Sequence, residues 1–213
     1  MSARAEKLKV LSDSILAAPQ KGRRKLVALA GPPASGKSTL AKELAEYLGN
    51  RDLNCEVVPM DGFHLDNTVL NTLGLLDRKG CPESFDANGF LRLVKALTNE
   101  AAIYYPTFDR DRDIAIAGSG VVDPDCQLVI VEGNYLLLDA PIWKDLHAFW
   151  DYSIFLSVPE DILEERLVQR WRWHGFSAVE ATSKARGNDI PNARITQSSR
   201  LTSDVILKEP TFL

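Results

Sequence analysis

The sequence predicts an α/β fold, a doubly wound parallel sheet with helices on both faces and a small lid. Three observations carry it. Short apolar runs alternate with helical stretches along the 213 residues; the first run ends in a glycine-rich turn that opens directly into a helix; and acidic residues stand just past the ends of two further runs. At 45% apolar and 25% charged residues the composition is that of an ordinary folded chain, which excludes disordered and collagen-like classes. The length suits one domain over 1–213, a single core with an appended flap.

The elements follow in order. Leu8, Leu11, Ile15 and Leu16 recur at helical spacing over 5–18, and the stretch 19–24 breaks the pattern, so an N-terminal helix within 1–19 is expected outside the sheet. Lys25–Ala30 (KLVALA) is almost wholly apolar, as a central parallel strand buried on both faces should be. Residues 36–48 carry Leu40, Leu44 and Leu48 on one helical face, closed by Gly49-Asn50. Further strands are expected at 55–60, 128–131, 152–158 and 203–207, with helices at 88–97, 140–149 and Glu160–Trp173 between them. Two stretches break the rhythm, 67–86, rich in Gly, Asn and Asp, and 171–192, basic and glycine-containing. Both read as flaps over a site, the second as a lid.

The charge balance narrows the function. Against 29 acidic residues stand 25 basic ones, a net charge of -4, the wrong sign for a chain that coats nucleic acid. The first residues mix charges and lack a secretory core, and no apolar run reaches the length of a membrane span, so a cytoplasmic protein with no membrane partner is expected. Cys55, Cys81 and Cys126 form no C-x-x-C pair and read as packing residues.

Gly31-Pro32-Pro33-Ala34-Ser35-Gly36-Lys37-Ser38, followed by Thr39, matches G-x-x-x-x-G-K-[ST] between a buried strand and a helix. In such a loop successive N–H groups turn toward phosphate oxygens and the helix N-terminus adds partial positive charge. ATP and Mg2+ are therefore expected, with Lys37 on the β- and γ-phosphates and Ser38 on the metal.

Ligands of open α/β sheets bind beyond the carboxyl ends of the strands, where Asp61-Gly62-Phe63-His64 and Glu132-Gly133-Asn134-Tyr135 stand. Phosphoryl transfer to an alcohol needs one acid for the metal and one carboxylate to take the hydroxyl proton; Asp61 and Glu132 are the candidates. His64, Asn134 and the proline-bent segment containing Tyr105, Asp109 and Arg110 are candidates for gripping a polar substrate. Arg166 and Arg170 lie four apart on one helix face and Arg186 follows, a set that a closing lid could bring to the transferring group.

These stretches resemble the phosphoribulokinase, uridine kinase and bacterial pantothenate kinase group of P-loop kinases, over about 25–207. The resemblance rests on GPPASGKST (31–39), MDGFH (60–64), YPTFDR (105–110), VIVEGNYLL (129–137) and ARGNDIPNA (185–193). Relatives of this kind include proteins labelled fructose transport system kinase. The resemblance implies the base role for Asp61, since DGF is similar to the pantothenate kinase pattern, and a strand-end acid's role for Glu132, which in Walker-B manner would act on Mg2+. It implies a lid carrying Arg166, Arg170 and Arg186, and adenine contacts for Asn188 and Asn192. The aspartate–aromatic pair of uridine kinases is absent, as is a ribulose-phosphate pattern. The resemblance thus implies an ATP-dependent kinase for a small-molecule alcohol, of sugar, nucleoside or pantothenate type, and leaves a homodimer open. The alternative is a P-loop ATPase or regulatory ATP-binding subunit with no acceptor. A guanine-reading switch would need N-K-x-D, which the sequence lacks.

Overall fold

The structure is a computed structural model that describes residues 3–209. Five parallel strands, β1 (Lys25–Ala30), β2 (Cys55–Pro59), β5 (Leu128–Gly133), β6 (Tyr152–Ser157) and β7 (Val205–Lys208), form one sheet in the order β2-β5-β1-β6-β7. β1 and β5 sit inside, buried along their whole length, which is why they are apolar without alternation. Residues of β1 divide by parity. Leu26, Ala28 and Ala30 join one core with Val58, Phe90, Val94 and Trp143; Val27 and Leu29 join another with Leu11, Ile15, Leu40, Leu44 and Leu48.

Helix α1 (Ala3–Ala17) and helix α2 (Lys37–Gly49) cover the second core. Lys25 ties α1 to the sheet, since its buried ammonium donates to the carbonyls of Ile15, Leu16 and Ala18 at 2.9, 2.9 and 2.6 Å. These are orphan acceptors of a helix end, satisfied here by a side chain. On the other face α4 (Ala87–Asn99) packs Phe90, Leu93, Val94 and Leu97 inward. Asp86 caps it by accepting from the Gly89 amide at 2.7 Å.

The expected helix at 140–149 is a 3-10 stretch, Trp143–Phe149. The 55–60 run leaves the sheet at Pro59, because Met60–Phe63 turns into a 3-10 helix. The last strand begins two residues later than expected.

The segment read as a proline-bent loop is the first arm of an antiparallel hairpin, β3 (Ile103–Asp109) with β4 (Ile114–Val122), separate from the main sheet. Its pairing shifts register between Tyr105 and Thr107, around Pro106, where no amide is available for the ladder. The 67–86 stretch folds as α3 (Asn67–Thr72) and two 3-10 turns, Leu76–Arg78 and Pro82–Ser84. Helix α5 (Glu160–Trp173) leads through α6 (Ala178–Lys184), with a capping box on Ser177 and Glu180, into a π-helical turn, Ala185–Asp189, and α7 (Ile190–Ser198). Among the described residues no helix is long and apolar enough to cross a membrane.

Candidate active site

Parallel pairing brings the strand ends together. Glu132 lies opposite Leu29 of β1 and Pro59 of β2, so the phosphate loop, Glu132 and, two residues beyond Pro59, Asp61 share one edge. A cleft of about 590 Å³ opens there. Its lining comes from the loop (33–39), the strand ends (Asp61, His64, Glu132, Gly133, Asn134), the flap (Leu76, Lys79, Gly80, Phe85), the hairpin (Phe108, Arg110, Asp113) and the lid (Arg170, Trp171, His174, Phe176, Lys184, Asp189, Asn192). A shallow depression elsewhere, beside α4 at Leu91, Lys95 and His147, holds none of the motifs.

Ala34 at φ 62° and Gly36 at φ 89° place the loop in left-handed conformations, the second of which only glycine adopts without strain. Such turns aim backbone N–H groups at one point, at the start of α2. Lys37 is buried, and its ammonium donates to Pro32 O at 2.9 Å and to Asn134 Oδ1 at 2.8 Å. Burial pushes its pKa down to about 8, opposed by the negative charges of Glu132 and Asp61. Ser38 Oγ donates to Glu132 Oε1 at 3.0 Å. Burial raises the Glu132 carboxyl above the usual carboxylate value, with Lys37 pulling the other way. A hydroxyl and a carboxylate converging in this way are the hard oxygen donors that magnesium takes, and the loop's amides and lysine suit a triphosphate.

Asp61 stands in the turn after β2, with Oδ2 accepting from Arg110 Nη2 at 2.6 Å. The turn is pressed against the hairpin, for a Cβ at Gly62 would lie 2.0 Å from Pro106 O. Only glycine allows this approach, which sets Asp61 beside Arg110. His64 bridges to Phe85 and stacks on its ring, centroids 4.0 Å apart, with the tilted ring of Phe108 at 4.9 Å. Burial carries its pKa down to about 4, so the imidazole is neutral, and among the described residues its Nδ1 has no protein partner.

Of the residues singled out in the sequence, the cleft gathers Pro33 to Thr39, Asp61, His64, Arg110, Glu132, Asn134, Arg170 and Asn192. Others lie elsewhere. Tyr105 is buried in the hairpin and its hydroxyl donates to Glu56 Oε1 at 2.9 Å, because alternation along β3 turns it away from the cleft. Asp109 closes the hairpin turn by accepting from the amides of Asp111 and Arg112 at 3.1 and 3.0 Å. Arg186 reaches into solvent and pairs with Glu164 at 2.7 Å. Arg166 pairs with Glu209 and donates to Ala34 O at 3.4 Å, behind the loop. Asn188 donates to Lys79 O at 2.8 Å, which joins lid to flap. Asn192, which does line the cleft, lies near Gly80, and among the described residues its buried Oδ1 has no protein partner. Arg170 alone of the three arginines lines the cleft, and among the described residues its side chain has no hydrogen bond or ion pair.

Sequence reading missed Lys79, Phe85, Phe108 and Asp113. The signal for Lys79 was a lone lysine within a glycine-bearing insert; Asp113 was hidden in the alternating charges of 109–113. Lys184 was missed as well: its ammonium lies over the rings of Trp171 (4.9 Å) and Phe176 (4.7 Å) and holds the lid aromatics together.

The family profile described as chromatin associated protein KTI12 matches residues 25–72, under a quarter of the chain, covering the phosphate loop and the Asp61 turn. The uncharacterized protein YggC of Escherichia coli K12 is 37% identical over 182 residues, 84% of this chain and 75% of its own length. A provisionally named uridine kinase of Schizosaccharomyces pombe is 32% identical over 198 residues, covering 88% of this chain and 84% of that protein. A crystal structure of a provisionally named fructose transport system kinase from Silicibacter sp. TM1040 superposes with a TM-score of 0.90 at 53% identity, over 94% of this chain and 98% of that one. Pantothenate kinases also match, the Chelativorans enzyme at 34% identity, with the alignment spanning 49% of its length.

Proposed function

Because the chain belongs to the phosphoribulokinase, uridine kinase and pantothenate kinase family of P-loop kinases, we propose that it transfers the γ-phosphoryl group of ATP to a hydroxyl of a small metabolite. The observation that carries this reading is the convergence of Lys37, the Ser38–Glu132 pair and Asp61 on one cleft.

The loop amides and Lys37 hold the β- and γ-phosphates. Magnesium, held by Ser38 and Glu132, supplies positive charge to the phosphate oxygens when bound. Asp61 faces the acceptor. Its Oδ2 is occupied by Arg110, and the other carboxylate oxygen takes the proton as the acceptor oxygen bonds to the γ-phosphorus and the bond to the β-phosphate oxygen breaks, releasing ADP. Arg170, uncommitted in the cleft, answers the charge that develops on the transferring group. The segment 171–192 acts as the lid that excludes water and so limits hydrolysis.

The test is ADP release with and without hydroxyl-bearing metabolites. Asp61→Asn keeps the shape and the Arg110 contact but cannot take a proton. Acceptor-dependent turnover is expected to fall about a hundred to ten-thousandfold with ATP binding nearly unchanged. Turnover that no metabolite accelerates would favour an ATPase over a kinase.

A further inference from the structure

We propose that the flap-and-hairpin side of the cleft is built for an uncharged polyol, and that the Lys79–Asp113 pair enforces this by spending the positive charge an anionic acceptor would need. The inference rests on the kinase reading above.

A lysine ammonium has three donors and no more. Lys79 donates to Asn67 Oδ1 at 2.7 Å and to Asp113 O at 3.1 Å, and its ammonium forms an ion pair with Asp113 Oδ1 at 2.8 Å. Asp113 Oδ2 accepts from Asn67 Nδ2 at 2.8 Å, so lysine, asparagine and aspartate close a ring in which each side chain answers the other two. Arg110, the other cation on this side, is committed to Asp61. Two cations and two carboxylates cancel, and His64, in ring contact with Phe85 and Phe108, is neutral. A phosphorylated or carboxylated acceptor placed here would meet two carboxylates, each already facing one of the two cations, and would lose its hydration without a net counter-charge. The other cations that line the cleft, Lys37, Arg170 and Lys184, stand on the phosphate loop, α5 and α6 rather than on the flap or the hairpin.

What this side offers is hydrogen-bond acceptance by carboxylates and an apolar wall of Leu76, Phe85 and Phe108. Hydroxyl-rich molecules supply many O–H donors and a C–H face, and match both.

The experiment compares kcat/KM for ADP release with uncharged monosaccharides and open-chain polyols, their phosphate esters, hydroxy-carboxylates and nucleosides, on the wild-type chain and on Asp113→Asn. Asn tolerates the left-handed backbone at this position, φ 55°, and its neutral amide would release the charge of Lys79. The wild type is expected to favour an uncharged polyol over its phosphate ester by at least about a hundredfold, the effect of an uncompensated charge in a site. Asp113→Asn is expected to improve the phosphate ester by about tenfold and to weaken the uncharged acceptor. A wild type that prefers a phosphate ester, a carboxylate or a nucleoside, or an Asp113→Asn variant that discriminates as the wild type does, overturns the proposal and leaves the kinase reading standing. So does ATP turnover that another metabolite accelerates and no uncharged polyol does, whereas turnover that no metabolite accelerates overturns both readings. A chain that neither binds ATP nor releases ADP overturns both.

Discussion

The ammonium of Lys37 lies 2.8 Å from Oδ1 of Asn134, so the strand-end sequence Glu132-Gly133-Asn134 serves both loop residues, Ser38 through its acid and Lys37 through its amide. The sequence suggests Asn134 as a substrate contact; the geometry puts it on the phosphate lysine. Asn134→Ala is therefore expected to raise KM for ATP about ten- to a hundredfold, the worth of one hydrogen bond to a charged group, with KM for the acceptor unchanged. Steady-state kinetics with each substrate varied in turn decides it. A change confined to the acceptor's KM would return Asn134 to the substrate.

The lowered pKa of Lys37 gives a second expectation, with a definite sign. Between about 8 and the ordinary lysine value the unfolded chain binds a proton that the folded chain does not, so this residue's contribution to stability rises with pH across that window. Triphosphate oxygens in the loop supply the missing negative charge and draw the pKa upward again. ATP binding at pH 8 to 9 should then take up protons from solution. Calorimetric titration in two buffers of different ionisation enthalpy measures the uptake, and equal heats in both would mean that Lys37 is already fully charged.

Legibility in the sequence followed how local the physics is. Lys25–Ala30, its loop and α2 could be read because burial on both faces forces an unbroken apolar run and because phosphate binding fixes residue types within eight positions. Asp61 and Glu132 could be placed on one edge because parallel strands align their ends. What escaped was set by partners far away in the chain. Tyr105 looks like a gripping aromatic until β3 pairs with β4 and its hydroxyl finds Glu56, 49 residues earlier. Lys79 and Asp113 are unremarkable alone, and only the fold closes their ring across 34 residues.

The three arginines read as one lid set divide in the structure, and their variants should divide likewise. Arg170 lines the cleft with no side-chain hydrogen bond or ion pair among the described residues, whereas Arg166 is spent on Glu209 and the Ala34 carbonyl and Arg186 on Glu164 at the surface. An arginine that meets the transferring group acts mainly in the transition state, so Arg170→Ala should lower kcat about a thousandfold or more with little change in KM for ATP. Arg166 holds the back of the phosphate loop at Ala34, a residue kept at φ 62°. Its removal should loosen the loop, raising KM for ATP with a kcat loss of about tenfold or less. Arg186→Ala should change neither constant by more than about twofold, since exposed ion pairs are worth roughly 0–1 kcal/mol. Lys in place of Arg170 keeps the charge but not the fork and should restore only part of the lost rate. Michaelis constants for these variants settle the division: a kcat loss at Arg186 equal to that at Arg170 would mean that the lid swings farther on substrate binding than its resting contacts show.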